Sequence, residues 1–210
     1  MKTADVAVVG GGIAGVSAAH ELAARGLRVE LLEREPTLAH HATGRSAAQF
    51  LENYGNATVR RLTVASRPFF ADPPAPLVDG PLWHPRPFLR VGTDAHQAAL
   101  RADAADGRAL VPSTEWVDGD TARTLLPVLG PQVAGGLHEP DAMELDVAAV
   151  HQAYVRGLRA AGGGITVARG VTELTRRGDG WRVAIPSETL DVGVVVDAAG
   201  AWADDVAVMA

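Results

Sequence analysis

The sequence predicts an α/β fold organised around a parallel sheet, and three features at its start support that expectation. A β-branched apolar run, Val6, Val8 and Val9, suits a strand buried on both faces, and the glycines Gly10, Gly11, Gly12 and Gly15 follow directly. An amphipathic stretch from Ile13 to Arg25 comes next, with Val16, Ala19, Leu22 and Ala23 on one face and Gly26 as its stop. A second apolar run, Leu27 to Leu32, closes on Glu33.

Strand, glycine turn, helix, strand and acid in this register form a Rossmann-like unit that binds a dinucleotide. Gly10 permits the sharp turn, Gly12 lets backbone approach a pyrophosphate, and Gly15 lets the helix pack closely on the strand. The helix start at Ile13 and Ala14 directs free N–H groups at the phosphates. Glu33, about 20 residues beyond the glycines, offers a carboxylate to both hydroxyls of an adenosine ribose and would repel a 2′-phosphate. A glycine-rich turn in an unrelated α/β protein is the plainer alternative; five parts in register argue against it.

The rest of the chain alternates helical and strand patterns. After a polar loop from Glu35 to Arg45, a short helix is expected from Ser46, then a helix over Ala57 to Phe70 with Val59, Leu62, Ala65 and Phe69 as apolar positions. Pro73, Pro74, Pro76, Pro81, Pro85 and Pro87 break regular structure and mark an excursion into a second domain. Phe88 to Val91 reads as a strand, Ala95 to Ala105 as a helix, and Gly119 to Leu126 as a short helix. Leu145 to Ala161 has helical periodicity, with Asp146 as N-cap and Gly162 as its stop. A strand at Ile165 to Ala168, a hairpin about Gly178-Asp179-Gly180 and a buried strand at Val192 to Val196 complete the pattern. Residues 1–78 and 141–210 are therefore assigned to the dinucleotide-binding domain, and residues 79–140 to part of a second, α+β domain.

Composition narrows the function classes. A net charge of -6 argues against a sequence-independent grip on nucleic acid. Lys2 is the one lysine among 19 basic residues, so single arginines reflect compositional bias as readily as function. With no cysteine, disulfides, thiolate metal sites and a cysteinyl flavin bond are excluded within these 210 residues. No apolar run is long enough to span a bilayer, and Asp5 with the glycines occupies the place of a cleavable signal, so a cytoplasmic location is the expectation.

Five segments together resemble the D-amino-acid oxidase/dehydrogenase superfamily of FAD enzymes. They are the N-terminal fingerprint, His41-Ala42-Thr43-Gly44-Arg45-Ser46-Ala47-Ala48, Tyr54-Gly55, Glu139-Pro140-Asp141 leading into the Asp146 helix, and Val195-Val196-Asp197-Ala198-Ala199-Gly200-Ala201-Trp202. The pattern is most similar to D-arginine dehydrogenases, through Ser66 to Phe70 and Pro85-Arg86-Pro87. The resemblance implies a glutathione-reductase-type FAD-binding sheet, with part of a substrate domain, in a chain that looks like the N-terminal half of a family member.

It also implies roles for particular residues. The loop after Glu33-Arg34 would run beneath the flavin, so that Ala42, Thr43, Gly44, Arg45, Ser46, Ala47 and Ala48 touch the cofactor, with Arg45 and Ser46 at its phosphates. Val171 would lie by the adenine; Ala199 and Gly200 would pass close to the cofactor and Trp202 beside it. Read without the resemblance, these are a surface turn, a strand residue, a strand-end glycine and a core tryptophan. His40 and His41 show no third ligand at metal-binding spacing, so no metal is expected, and the flavin is taken as noncovalent although His41 is a weak candidate for attachment. Tyr54 would face the substrate carboxylate; a core tyrosine bonded to a carbonyl is the alternative. Gln49 and Phe88 stand where the D-arginine branch carries a histidine and a glutamate, so the pocket should favour an apolar side chain over a guanidinium.

The activity so implied is oxidation of the C–N bond of an amino acid or amine, of D-configuration, by hydride transfer to FAD. Sarcosine, glycine or 2-hydroxy-acid oxidation, and an inert FAD-binding fragment needing a second polypeptide, are the alternatives. The substrate is a small molecule, and the electron acceptor stays open.

Overall fold

Contacts divide the chain into two units, one drawn from Met1–Ser46, Ala75–Gly80 and Val147–Ala210, the other from Ala47–Pro74 and Pro81–Asp146. The computed structural model describes residues 2–74, 78 and 80–210. Their elements in chain order are β1 (Lys2–Val9), α1 (Ile13–Ala24), β2 (Val29–Leu32), β3 (Gln49–Phe50), α2 (Ala57–Ala71), β4 (Trp83–Pro85), β5 (Phe88–Gly92), α3 (Gln97–Arg108), β6 (Glu115–Asp118), α4 (Gly119–Leu125), β7 (Gly135–Glu139), β8 (Met143–Leu145), α5 (Val147–Ala160), β9 (Gly164–Thr166), β10 (Glu173–Arg177), β11 (Gly180–Ile185), β12 (Glu188–Asp197) and α6 (Ala203–Met209). No helix among the described residues is long and apolar enough to cross a membrane.

The first unit is the α/β sheet that the sequence predicts. Its strand order is β10-β11-β12-β1-β2-β9, with β12, β1, β2 and β9 parallel and the β10–β11–β12 meander antiparallel. Side chains alternate across β1, so Val6 and Val8 join one core with Val16, Ala19 and Ala23 of α1 and Val155 and Leu158 of α5. Ala7 and Val9 join the other, with Val183, Leu190, Val192 and Val206 of α6. Each fully buried Val or Leu contributes about 1.5–3 kcal/mol relative to an exposed one, which makes these two layers the main support of the sheet. The helix α1 ends where Gly26 takes a φ of 88°, a conformation that costs glycine nothing.

Two three-stranded sheets, β3-β8-β4 and β5-β7-β6, belong to the second unit. Leu100 and Ala104 of α3 pack on Leu137 of β7 beside Trp116, and Ala122 of α4 packs on Val117 and Val133. The helix α2 begins at the Asn56 N-cap, whose side chain accepts from the Thr58 and Val59 N–H groups. Its expected apolar face is not buried: Leu62 is 64% exposed and Val59 is exposed as well. Phe70 instead meets Phe50 and Trp83, while Arg67 pairs with Glu52 through two bonds of 2.6 and 2.8 Å.

Two expectations about organisation are corrected. The short helix from Ser46 is absent, because the backbone there is committed to β8: Gln49 and Phe50 pair with Glu144 and Met143, and the Leu145 N–H donates to the Ala48 carbonyl at 3.0 Å. For the same reason residues 47–74 and 141–146, assigned from sequence to the dinucleotide-binding domain, belong to the second unit; Arg67 adds a bond to the Asp141 carbonyl at 3.0 Å. Of the Pro-rich stretch taken to mark the excursion, Ala75 and Pro76 lie outside the described residues, as does Asp79 at the expected boundary.

Inside the second unit, Glu139 is buried at the end of β7 and accepts from the Asn53 backbone and side-chain N–H groups at 3.4 and 3.3 Å, while Asn53 also donates to Thr114. Burial pushes the Glu139 carboxyl above its ordinary range, against the Asn53 bonds that draw it down. A carboxyl raised in the folded state stabilises the fold fully below its unfolded value, and that contribution is lost as pH rises through the folded value. Glu139→Gln keeps the acceptor and removes the charge. The melting temperature of this variant relative to the parent should therefore rise between about pH 4 and about pH 7; in circular-dichroism melts, a difference that does not change with pH would refute the burial cost.

Candidate functional site

The site is built where β1 runs out. Gly10 turns with a φ of 112°, and its N–H donates to the Leu32 carbonyl at 2.8 Å, joining the turn to the end of β2. A Cβ on Gly10 would come within 2.4 Å of the Ala198 carbonyl, and one on Gly15 within 1.8 Å of the Gly10 carbonyl. Three backbones therefore meet at distances only glycine allows. Gly12 is different: a Cβ there would meet only the Thr43 hydroxyl, at 3.2 Å, so the side of the turn it presents is open. The Ile13 N–H, expected to be free for a phosphate, donates to that same Thr43 hydroxyl at 3.0 Å, because the 43–45 turn folds over the start of α1.

Glu33, buried at the end of β2, has both carboxylate oxygens engaged by backbone: Oε2 accepts from the Gly11 N–H at 2.7 Å and Oε1 from the Glu35 N–H at 2.8 Å. The chain then bends through residues 34–37, and Arg34 and Glu35 find different partners. The Arg34 guanidinium lies 3.8 Å from the centre of the Trp202 ring, and the His41 ring lies 4.5 Å from Trp202. The His41 Nε2 is 2.9 Å from Glu35 Oε1, and this hydrogen bond holds the Glu35 carboxyl below its ordinary value.

Gly10 to Gly12, Glu33, Arg34, His41 and Trp202 line a cavity of about 350 Å³, within the size range of small-ligand pockets. Of the residues singled out from sequence, Gly10, Gly12, Glu33, Arg34, Ala42, Thr43, Val171, Ala199, Gly200 and Trp202 line it. Ile13 and Ala14 are exposed and Gly15 is buried under the turn, and none of the three lines the cavity. Gly44, Arg45, Ser46, Ala47 and Ala48 also lie outside the lining. Gly44 is needed locally, since a Cβ would meet the Ala39 carbonyl at 2.1 Å.

Sequence reasoning missed other parts of the wall. Gly11 and Ala39, Gly170 before Val171, and Asp205, Val206 and Met209 of α6 all contribute. A Cβ on Gly170 would press on Arg34 at 2.9 Å, an approach the fold creates, and α6 reaches the wall through the Gly200–Trp202 turn. The expectation that His40 and His41 lack a third metal ligand is also corrected. Glu35, His40 and His41 each bring one candidate ligand atom within 4.8 Å of the others. The Glu35 Oε1 is already shared by His41 at 2.9 Å and Arg34 at 3.3 Å, so the group is an ion-paired cluster whose histidines, but not Glu35, line the cavity.

The substrate-side candidates all fall in the second unit. Tyr54 is 72% exposed, in the turn before α2. Gln49 is in β3, paired with Glu144, and Phe88 opens β5, paired with Glu139. Gln49 and Phe88 are thus on different sheets.

The profile of the family DAO, FAD dependent oxidoreductase, matches residues 5–210. The tRNA 5-methylaminomethyl-2-thiouridine biosynthesis bifunctional protein MnmC of Pseudomonas aeruginosa is 35% identical over 179 residues, 83% of this chain and 26% of its own length. Among solved structures, L-alpha-glycerophosphate oxidase from Mycoplasma pneumoniae with FAD bound superposes with a TM-score of 0.89 at 20% identity, covering 100% of this chain and 57% of that one. NikD, an amino acid oxidase essential for nikkomycin biosynthesis, superposes with a TM-score of 0.82 at 26% identity, covering 98% and 53%. The chain thus spans about a quarter of MnmC and little over half of the two solved proteins.

The crowding at the turn separates two glycines by experiment. Gly15→Ala forces backbone apart and should cost about 1–3 kcal/mol or more, whereas Gly12→Ala, at a φ of -77° that alanine adopts freely, should cost no more than about 1 kcal/mol. Urea midpoints at constant slope measure the difference, and equal losses would contradict the assigned crowding.

Proposed function

The chain belongs to the DAO family of FAD dependent oxidoreductases, and from that premise we propose that it holds FAD in the cavity of its first unit and oxidises the carbon–nitrogen bond of an amino acid or related amine. The convergence of the glycine turn, the buried Glu33 carboxylate and the open face at Gly12 on one cavity supports the cofactor half of this reading most strongly. Gly200 fits too: it takes a φ of 60° on the cavity wall, and a Cβ there would meet nothing within 4 Å, so the space beside it suits a ligand.

In this reading Glu33 accepts from the adenosine ribose hydroxyls, and Gly10 to Gly12 with the start of α1 receive the pyrophosphate. Val171 lies by the adenine, Ala42 and Thr43 run along the flavin side, and Trp202, held by Arg34 and His41, packs beside the cofactor. Bound FAD supplies a two-electron acceptor for the hydrogen leaving the substrate carbon. The substrate's C–N bond becomes an imine, which water converts to a carbonyl compound and free amine. The amine class draws support from the methylaminomethyl group in the name of MnmC and from NikD as an amino acid oxidase. With a net charge of -6, a free amino acid suits this chain better than a tRNA-borne amine.

The finer proposal is a D-amino acid with an apolar side chain. It rests on Phe88 standing where the similar D-arginine branch has an acid, with Tyr54 and Gln49 as further substrate-side groups. An aromatic ring offers a guanidinium far less than a paired carboxylate does.

Two measurements test the two halves. In flavin-fluorescence titrations, Glu33→Gln should raise the FAD Kd about tenfold and Glu35→Gln by less than about threefold; equal effects would remove Glu33 from the cofactor. In dye-linked assays of the protein, Phe88→Glu should raise kcat/KM for D-arginine relative to D-leucine by about tenfold. An unchanged ratio, or a parent that already prefers D-arginine, would remove Phe88 from the pocket.

A further inference from the structure

His151 plays no part in the site as described, yet it is 2% exposed and reaches the glycine turn from 140 residues away. Its Nε2 lies 3.0 Å from the Gly11 carbonyl oxygen. A carbonyl only accepts, so Nε2 carries the proton and donates. The same carbonyl accepts from the Ala39 N–H at 3.1 Å, and the Gly11 N–H donates to Glu33 Oε2 at 2.7 Å. Gly11 is therefore held on both sides of its Cα by groups from three other segments. It has no side chain to hold it otherwise, and a Cβ there would come within 2.4 Å of Leu38 Cδ2 and 2.9 Å of Glu33 Oε2, so a side chain would have to displace both.

The consequence lies in the next N–H. In a planar trans peptide the carbonyl of one residue and the N–H of the following residue point in opposite directions. Fixing the Gly11 carbonyl toward His151 and Ala39 turns the Gly12 N–H the other way. That N–H has no acceptor among the described residues, and Gly12 lines the cavity.

We propose that His151 is a positioning residue for the cofactor: by holding the Gly11 carbonyl it presents the Gly12 N–H to the pyrophosphate of FAD. The proposal rests on the FAD reading above. A purely packing role would ask only for the volume of the ring, which leucine supplies, whereas the positioning role asks for a donor at the place of Nε2, which glutamine supplies. Loss of the donor leaves the Gly11 carbonyl bonded to Ala39, so the fold is not at risk from an unpaired buried carbonyl.

The test compares His151→Leu and His151→Gln with the parent chain, reading FAD affinity by fluorescence, the ³¹P resonances of the bound pyrophosphate, and melting of the FAD-free protein. His151→Leu should weaken FAD about tenfold and shift the ³¹P signals, while His151→Gln returns the affinity to within about threefold and restores the signals. The FAD-free melting temperatures of the two variants should agree. Equal weakening by Leu and Gln, or parent-like affinity and ³¹P signals in His151→Leu, would overturn the positioning role alone. A parent chain that takes up no FAD would overturn the cofactor reading with it.

Discussion

The approach of three backbones at Gly10 is the constraint on which the first unit depends. The end of β1, the first turn of α1 and the end of β12 converge there, with the Gly10 carbonyl against Gly15 and the Ala198 carbonyl against Gly10. Because β1 is central, flanked by β12 and β2, a side chain at either glycine would push α1 off the sheet or pry β12 from β1. Either movement would open one of the two apolar layers, on the side of Val16 and Val155 or on that of Val183 and Val206. The same crowding creates the cavity, since strands that end together around a turn without side chains leave a recess beyond their carboxyl ends.

Charge within the recess is organised by backbone before any ligand is considered. Glu33 is buried, and burying a carboxylate is costly unless its oxygens are bonded; the Gly11 and Glu35 N–H groups meet that need from both sides. The acid thereby ties the glycine turn to the loop that follows β2. That loop bears Arg34 and Glu35, whose contacts with Trp202 and His41 bring the 199–202 segment and the 40–43 segment to one wall. An acid read from sequence as a ribose ligand is thus a structural strut, and the proposed ribose role would use the same geometry.

How much of this was legible in the sequence follows from how local each determinant is. The β1–α1–β2 unit was readable because its periodicity, glycines and terminal acid lie within 33 residues, and the α5 helix and the β10–β11 hairpin carry their own stops at Gly162 and Gly178. The strand β3 was read as a helix start because two residues carry no period and its partner β8 is more than ninety positions away. That one pairing also moves residues 47–74 into the second unit, a transfer that no composition shift announces. Glu35 as companion to His40 and His41, and His151 beneath Gly11, escaped for the same reason: each is defined by a partner brought by the fold, and a lone histidine on a helical face looks like core.

Cofactor and substrate determinants differ in this respect, because different parts of the packing hold them. The proposed cofactor groups are backbone N–H donors, glycines and one acid, fixed by close packing that tolerates little change; the same architecture therefore recurs among proteins of low identity. The proposed substrate-side groups Tyr54, Gln49 and Phe88 sit in a turn and two small sheets, none of them fully buried, and Tyr54 is largely exposed. Nothing in the sheet obliges Phe88 to be aromatic or acidic. Specificity is free to change there without cost to the cofactor fold, so the substrate has to be argued from those side chains and their chemistry, while a dinucleotide follows from the turn and FAD from the family.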